Sequence, residues 1–129
     1  MAIVRQISVR VKNERGVLAE LCSELARVAV NIKALMVPDQ AGSAPVRMLV
    51  NNLATAQKVL EELGFQYTTE EVIAARMSDR PGSLGRITRK LAEKGIDIHY
   101  AYGSVSKGTK EAVIALAVSD VAAADKVIK

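Results

Sequence analysis

The sequence is short of several residue types on which large classes of function depend. Its 129 residues include one cysteine, one histidine, no tryptophan, three tyrosines and one phenylalanine. A single cysteine excludes an internal disulfide and a paired-cysteine metal loop. So few aromatic side chains argue against nucleic-acid recognition by base stacking. No stretch approaches the roughly 20 continuous apolar residues of a membrane span. We therefore expect no nucleic-acid partner, no membrane partner, and no metal or other cofactor.

Signatures of catalysis and of export are equally scarce. The sequence contains no Gly-x-Gly-x-x-Gly, no phosphate-binding Gly-Lys-Ser/Thr loop, no Cys-x-x-Cys and no His-Glu-x-x-His. Its first residues alternate polar and apolar side chains and lack the apolar centre of a signal peptide. We expect a cytoplasmic protein that is not an enzyme. The alternative is a small enzyme, a mutase or hydrolase with the order of strands and helices given below. Its one plausible cluster of catalytic groups is Asp97, His99 and Tyr100.

The charge is modest and spread along the chain. The formal net charge is +4, and each half of the sequence contributes equally to it. One local basic cluster lies on or just before a predicted helix and comprises Arg80, Arg86, Arg89, Lys90 and Lys94. Helices commonly carry such a solvated face, so this is our first interpretation of the cluster. Binding of phosphate or nucleic acid there is the alternative.

The chain is an internal duplication. Val11-Lys-Asn-Glu-Arg-Gly-Val-Leu corresponds to Met77-Ser-Asp-Arg-Pro-Gly-Ser-Leu, and the 66-residue offset continues without a gap through the following helix. Further on, Lys58-Val-Leu corresponds to Lys126-Val-Ile, with the loop of the second copy two residues longer. We predict two modules, residues 1–70 and residues 71–129, joined by Glu70-Glu71.

Each copy shows the order strand, helix, strand, strand, helix. Ile7, Val9 and Val11 alternate with polar residues, which is typical of a half-buried strand, and Leu18, Leu21 and Leu25 follow at helical spacing. A fourth strand is predicted at residues 65–69 of copy one, whereas copy two ends after its second helix. The fold class is therefore α+β: two tandem ferredoxin-like βαββαβ modules, with antiparallel sheets and helices on one face. The second module lacks its last strand, either by truncation or because another chain supplies it.

Two strand-to-helix turns are the candidate sites. Their sequences are Asn13-Glu-Arg-Gly16 and Asp79-Arg-Pro-Gly82. Asn13 and Asp79 suit the capping of free amides at a helix start, and Pro81 suits its first turn. The amides of Gly16, Val17 and Leu18, and those of Gly82, Ser83 and Leu84, would form a carboxylate-sized anion site. Ordinary helix capping with tight helix–sheet packing is the alternative. His99 is expected on the strand face opposite Ile96, Ile98 and Tyr100, as a surface residue or as a ligand contact.

The pattern Asn/Asp-x-Pro-Gly-x-Leu, an amphipathic helix and then Asn/Asp-Ile resembles the ACT domain. Asp79-Arg-Pro-Gly-Ser-Leu with Ile96-Asp-Ile carries the better match, and Asn13-Glu-Arg-Gly-Val-Leu with Val30-Asn-Ile the weaker one, with Arg15 in place of the usual proline. The resemblance spans essentially the whole chain. ACT modules are regulatory, amino-acid-sensing units attached to metabolic enzymes such as aspartate kinase. They pair side by side and hold their ligand at the module interface, near the glycine turn.

The resemblance implies a non-catalytic sensor that binds a small amino acid between ACT modules. The alternative is a protein–protein interaction or dimerisation module that docks on a separate metabolic enzyme, with degenerate ligand sites. The expected partners are an amino acid and either a second copy of the chain or that enzyme. Amides of the glycine turns would bind the ligand carboxylate, and polar side chains would contact its ammonium or fix the loop. The predicted ligand-binding residues are Asn13, Arg15, Gly16, Val17, Leu18, Asn31, Asp79, Pro81, Gly82, Ser83, Leu84, Asp97 and His99.

Overall fold

The computed structural model describes residues 2–12, 14–39, 44–105, 108 and 110–128. The described residues form six strands and four helices, in an alternation that repeats halfway along the chain. In chain order the elements are β1 (Ala2–Val9), α1 (Val17–Arg27), β2 (Ile32–Met36), β3 (Val46–Val50), α2 (Leu53–Glu62), β4 (Tyr67–Ser78), α3 (Ser83–Glu93), β5 (Ile98–Val105), β6 (Glu111–Val118) and α4 (Val121–Val127).

The chain divides into two compact units. The first unit is Arg5–Glu70, and the second combines Met1–Val4 with Glu71–Lys129. The long strands β1 and β4 therefore each contribute residues to both units. Because each unit contains antiparallel strands and two helices, the α+β class and the ferredoxin-like modules predicted from the sequence are confirmed.

In the first unit the strands lie in the order β2-β3-β1-β4. Ile7 pairs with Met48 and Val9 with Val46 in the antiparallel register of β1 and β3. This places all four apolar side chains on one face of the sheet, because alternate residues of a strand share a face. They form one buried cluster with residues of the two helices, Leu21, Leu25, Ala56, Val59 and Leu60.

The second unit has the equivalent order, β1-β4-β6-β5. Its core joins Ile73 and Leu116, which are paired across β4 and β6, to Leu91 of α3 and Ala124 of α4. No strand follows α4 in the described part of the chain. The place beside β4 that a fourth strand would take is held by β1, whose residues up to Val4 belong to this unit.

The predicted junction Glu70-Glu71 lies inside a strand and not in a linker between two strands. Strand β4 runs without interruption from Tyr67 to Ser78 and includes both glutamates. The polar pair does not end the strand because the carboxylate of Glu70 accepts hydrogen bonds from Gln6, Ser8 and Thr68. A strand tolerates a carboxylate at a partly buried position when hydrogen-bond donors surround it.

Gln6 and Ser8 also differ from the half-buried pattern predicted for β1. Their exposed fractions are 0% and 4%, so both faces of β1 are covered at this level. The side chains of both residues donate to Oε1 of Glu70, over 2.9 Å from Gln6 Nε2 and 2.6 Å from Ser8 Oγ. Burial of these two polar residues is therefore accompanied by hydrogen bonding.

Candidate functional site

The two glycine turns have the same backbone geometry. Gly16 has φ 90° and ψ −10°, and Gly82 has φ 91° and ψ −15°; each is the N-cap of its helix. A positive φ of this size favours glycine, because a Cβ would crowd the neighbouring carbonyl. The glycine therefore has the same conformation whether it follows Arg15 or Pro81, its equivalent in the second module.

The predicted capping role of Asp79 is wrong, and Asn13 lies outside the described residues. Among the described residues no side chain caps α1 or α3, since the N-cap position falls on the glycine itself. The backbone of Asp79 instead donates to the carbonyl of Lys110 over 2.6 Å. Side-chain caps are found at the other two helices, where Asn52 accepts from the amide of Thr55 and Asp120 from that of Ala123.

The first turn of α3 presents unpaired backbone donors. The amide of Ser83 donates to the carbonyl of Arg80 over 3.3 Å, and that of Arg86 to the carbonyl of Gly82 over 3.0 Å. Within the described part of the chain, the amides of Gly82, Leu84 and Gly85 have no hydrogen-bond partner. Such a helix start carries a partial positive charge and suits a carboxylate.

Arg86 adds a full positive charge to the second turn. A Cβ built on Gly82 would lie 3.6 Å from Nη1 of Arg86, so the guanidinium reaches back over the turn. Its Nη2 donates to Oγ of Ser83 over 3.4 Å, and Ser83 is buried. The sequence pattern assigns Arg86 only to a basic cluster. The signal of its further position is the spacing of four residues from Gly82, which is one helical turn.

The equivalent position in the first module carries the opposite charge. It is Glu20, an acidic residue in the first turn of α1. A carboxylate at a helix start satisfies the same partial positive charge that a bound anion would use. The two turns therefore share a backbone geometry but differ by two units of charge next to the glycine.

Other predicted site residues surround the turns with different exposure. Leu84 is 46% exposed, whereas its equivalent Leu18 packs against the core of the first unit. Val17 is half-buried, and Arg15 and Pro81 are exposed. The second turn thus combines an exposed leucine with a guanidinium and unpaired amides, a composition that suits a ligand with an apolar part and an anionic group.

Asn31 and Asp97 use their backbones to hold equivalent strand starts. The amide of Asn31 donates to Oδ1 of Asn51 over 2.9 Å, and that of Asp97 to Oγ of Ser119 over 3.0 Å. In return their carbonyls accept from the amides of Asn51 and Ser119. Both predicted residues are exposed, and in the described part of the chain neither is hydrogen-bonded to its glycine turn.

His99 lies at an irregularity of β5. The register with β6 shifts between Ile98 and Tyr100, and the same shift occurs in β2 between Ile32 and Ala34. His99 is exposed, and among the described residues no hydrogen bond joins it to Asp97. The structure therefore does not assemble these two residues into a hydrogen-bonded dyad.

The described residues, 2–12, 14–39, 44–105, 108 and 110–128, contain no group of three His, Cys, Asp or Glu side chains arranged to hold a metal ion. None of the helices in those same ranges has the length and apolar character needed to cross a membrane.

The fold and the turns define a class: a pair of ferredoxin-like modules, in each of which the helix after the first strand has a glycine as its N-cap. The family described as the ACT domain pair matches residues 1–128. The chain belongs to this family, as the resemblance of its duplicated turns predicted.

Solved structures share the fold at low sequence identity. Protein BT0572 from Bacteroides thetaiotaomicron has a TM-score of 0.89 at 24% identity, over 97% of this chain and 85% of that chain. The ligand-free regulatory subunit of aspartate kinase from Thermus thermophilus has a TM-score of 0.66 at 14% identity, over 99% and 95%. Aspartokinase III of E. coli, solved in complex with lysine and aspartate, has a TM-score of 0.58 at 17% identity, over 98% of this chain but 29% of that one. No curated protein matches the sequence.

Proposed function

We propose that this ACT domain pair is a non-catalytic regulatory protein that binds a small amino acid, with the ligand carboxylate at the second glycine turn. The observation that carries the proposal is the arrangement around Gly82. Unpaired amides of a helix start lie there beside the guanidinium of Arg86, and both Gly82 and Arg86 are exposed. A carboxylate accepts several such charge-assisted hydrogen bonds at once.

The solved relatives support the ligand class. One carries bound lysine and aspartate, and another is a regulatory subunit of the same kind of kinase. The shared fold covers 98% of this chain in the first case and 99% in the second. A small amino acid is the ligand that offers a carboxylate for the turn and an ammonium for neighbouring acidic or amide groups.

The remaining predicted residues receive roles from their chemistry. Asp79, Asp97 and His99 are the polar groups of the second module assigned to the ligand ammonium or to holding the loop, and Leu84 is assigned to its side chain. Asn13 and Asn31 hold the equivalent positions in the first module, beside Arg15, Gly16, Val17 and Leu18. Because Glu20 opposes an anion, we assign the first turn a weaker affinity for the ligand. A cytoplasmic location remains a prediction.

A thermal-shift screen of the twenty amino acids at millimolar concentration tests the proposal, with calorimetry on each compound that raises the melting temperature. A ligand at a hundredfold excess over its dissociation constant stabilises the folded state by about 2.7 kcal/mol. Arg86→Ala is expected to weaken binding at least tenfold, because a charge-assisted contact is lost. Arg89→Ala, which removes an exposed arginine from the same helix, is the matched control and should leave affinity unchanged.

The alternative function is a subunit that docks on a separate metabolic enzyme. The acidic Glu20 at the first turn favours it, because that turn is poorly suited to a carboxylate ligand. Affinity capture with the full chain, in the presence and absence of the twenty amino acids, separates the two functions. If an enzyme is recovered both with and without amino acids, and no amino acid raises the melting temperature, the result favours the docking subunit over the amino-acid sensor.

A further inference from the structure

The helices of the two modules carry opposite net charge. Helices α1 and α2 have four acidic and two basic side chains. Helices α3 and α4, with the C-cap Lys94, have five basic and two acidic ones. Since the modules arose by duplication, equivalent surfaces differ here in sign. The basic surface of one copy of the chain is therefore complementary to the acidic surface of another.

A cleft between α3 and α4 concentrates the positive charge. It is an open groove with a volume of about 640 Å³. Three ammonium groups and one carboxylate surround an apolar floor, and we call this the lysine cleft; its lining residues are Lys90, Glu93, Lys94, Ala123, Lys126 and Val127. All of them belong to the second unit. Protein-binding sites also place apolar groups at the centre and polar groups at the rim, so the cleft has the layout of a small one.

The end of α2 has the complementary composition. Leu63, its C-cap, is 38% exposed, and the preceding Glu61 and Glu62 are exposed as well. We call Glu61, Glu62 and Leu63 the glutamate corner. Tyr67 donates a hydrogen bond of 2.6 Å to Oε1 of Glu61, which restrains that carboxylate before any contact forms. Restraint of an interacting group in advance lowers the entropic cost of association.

We propose that the lysine cleft binds the glutamate corner of a second copy of this chain. Leu63 of one copy would cover the floor formed by Ala123 and Val127, and the two glutamates would pair with lysines of the rim. Each copy has one cleft and one corner, so every copy is able to take part in two such contacts. This contact uses none of the residues assigned to the proposed amino-acid site, so the two proposals are tested separately.

Sedimentation velocity of the full chain between 10 µM and 1 mM tests the contact. We expect a mass above that of the monomer at low salt, and a rise of about tenfold in the dissociation constant when salt reaches several times the physiological level. Lys94→Glu with Lys126→Glu, in the cleft, should abolish association. Glu61→Lys with Glu62→Lys, in the corner, should do the same, and circular dichroism checks that each variant is folded.

Mixing the two charge-reversed variants supplies the decisive measurement. The mixture pairs a reversed cleft with a reversed corner and an original cleft with an original corner, so association should return. Arg89→Glu is the matched control, because this exposed residue lies on α3 but does not line the cleft. A monomer at 1 mM in low salt, failure of the mixture to associate, or an equal loss with Arg89→Glu would each overturn the proposal. An equal loss with Arg89→Glu would mean that association depends on the total positive charge of α3 and not on the cleft.

Discussion

The hydroxyl of Ser8 donates a 2.6 Å hydrogen bond to the carboxylate of Glu70, across neighbouring strands of the first unit. Burial raises the pKa of Glu70, but hydrogen bonds from Ser8, Thr68 and Gln6, together with the charge of Arg47, outweigh it and lower the pKa below its ordinary value. Ionised Glu70 is thus the acceptor that lets Gln6 and Ser8 be buried. A carboxylate with a lowered pKa contributes stability above the pKa it has in the unfolded chain.

The first prediction is that Glu70→Gln destabilises the protein at neutral pH by about 1 kcal/mol, because an amide accepts less well than a carboxylate. The unfolded pKa of a glutamate is about 4.3. The stabilisation is present above that value and is lost as the pH falls through the lower folded pKa, so the two proteins should converge in acid. Urea unfolding from pH 7 to pH 3 measures the difference.

The adjacent residue provides the control for this prediction. Glu71 is exposed on the same strand, so Glu71→Gln should leave the free energy of unfolding within about 0.5 kcal/mol of the parent. A loss of equal size at both positions, or a difference at Glu70 that stays constant as the pH falls from 7 to 3, would show that Glu70 does not act as an ionised acceptor.

The second prediction compares two glycines of the same segment. Gly82→Ala should cost about 1–2 kcal/mol, because its φ of 91° is unfavourable for alanine although no atom clashes with the added Cβ. Gly85→Ala, inside α3 with nothing within 4 Å of its Cβ, should stabilise the protein by about 0.5–1 kcal/mol. Thermal unfolding of both variants measures the contrast, and equal signs at the two positions would contradict it.

The third prediction concerns a close approach within the second sheet. A Cβ at Gly103 would lie 2.7 Å from Cδ1 of Ile114, its cross-strand partner. Gly103→Ala should therefore destabilise the protein by about 1 kcal/mol, a moderate cost because the isoleucine end is able to rotate. Ile114→Val removes the clashing atom, so the double variant should lose less than the sum of the single changes. Additive losses in this cycle would exclude the contact.

The fourth prediction uses the two side-chain caps. Asn52 and Asp120 occupy equivalent positions before α2 and α4, and each accepts from the amide three residues later. Replacement of either by alanine should cost about 0.5–2 kcal/mol, as at other helix starts. Asn52→Asp and Asp120→Asn keep an acceptor and should be nearly neutral. Chemical denaturation of the four variants checks the pattern.

The duplication made much of the fold predictable. Leu25 and Leu91 lie 66 residues apart, and both are buried in the last turn of their helices. Apolar spacing and glycine turns specify the order of helices and strands, since burial of one face is the dominant favourable contribution to folding. The class and the family followed from the repeated turn motif, which is longer and more specific than either copy alone.

Other features depended on contacts between residues far apart in sequence. Glu70 was expected in a linker, because its acceptance of hydrogen bonds from Ser8 and Gln6 has no local signal in the sequence. The position of Arg86 over Gly82 depends on the rotamer of a long side chain, which spacing does not determine. Composition favours Asp79 as the residue that caps α3. The N-caps of α1 and α3 are glycines instead, because the turn has a left-handed conformation at that position.

The start of β1 has a consequence for dissection of the protein. Ala2–Val4 belongs to the second unit although it lies at the other end of the chain. A fragment cut at Glu71 would keep α3 and α4 but leave one side of β4 without its neighbouring strand, and an unpaired strand edge recruits other chains. A rearranged gene that places the β1 sequence after Ile128 through a flexible linker would give this unit a contiguous reading frame. The duplication divides the sequence into two consecutive halves. The contacts divide the chain differently, because the first residues of β1 belong to the unit formed by the second half.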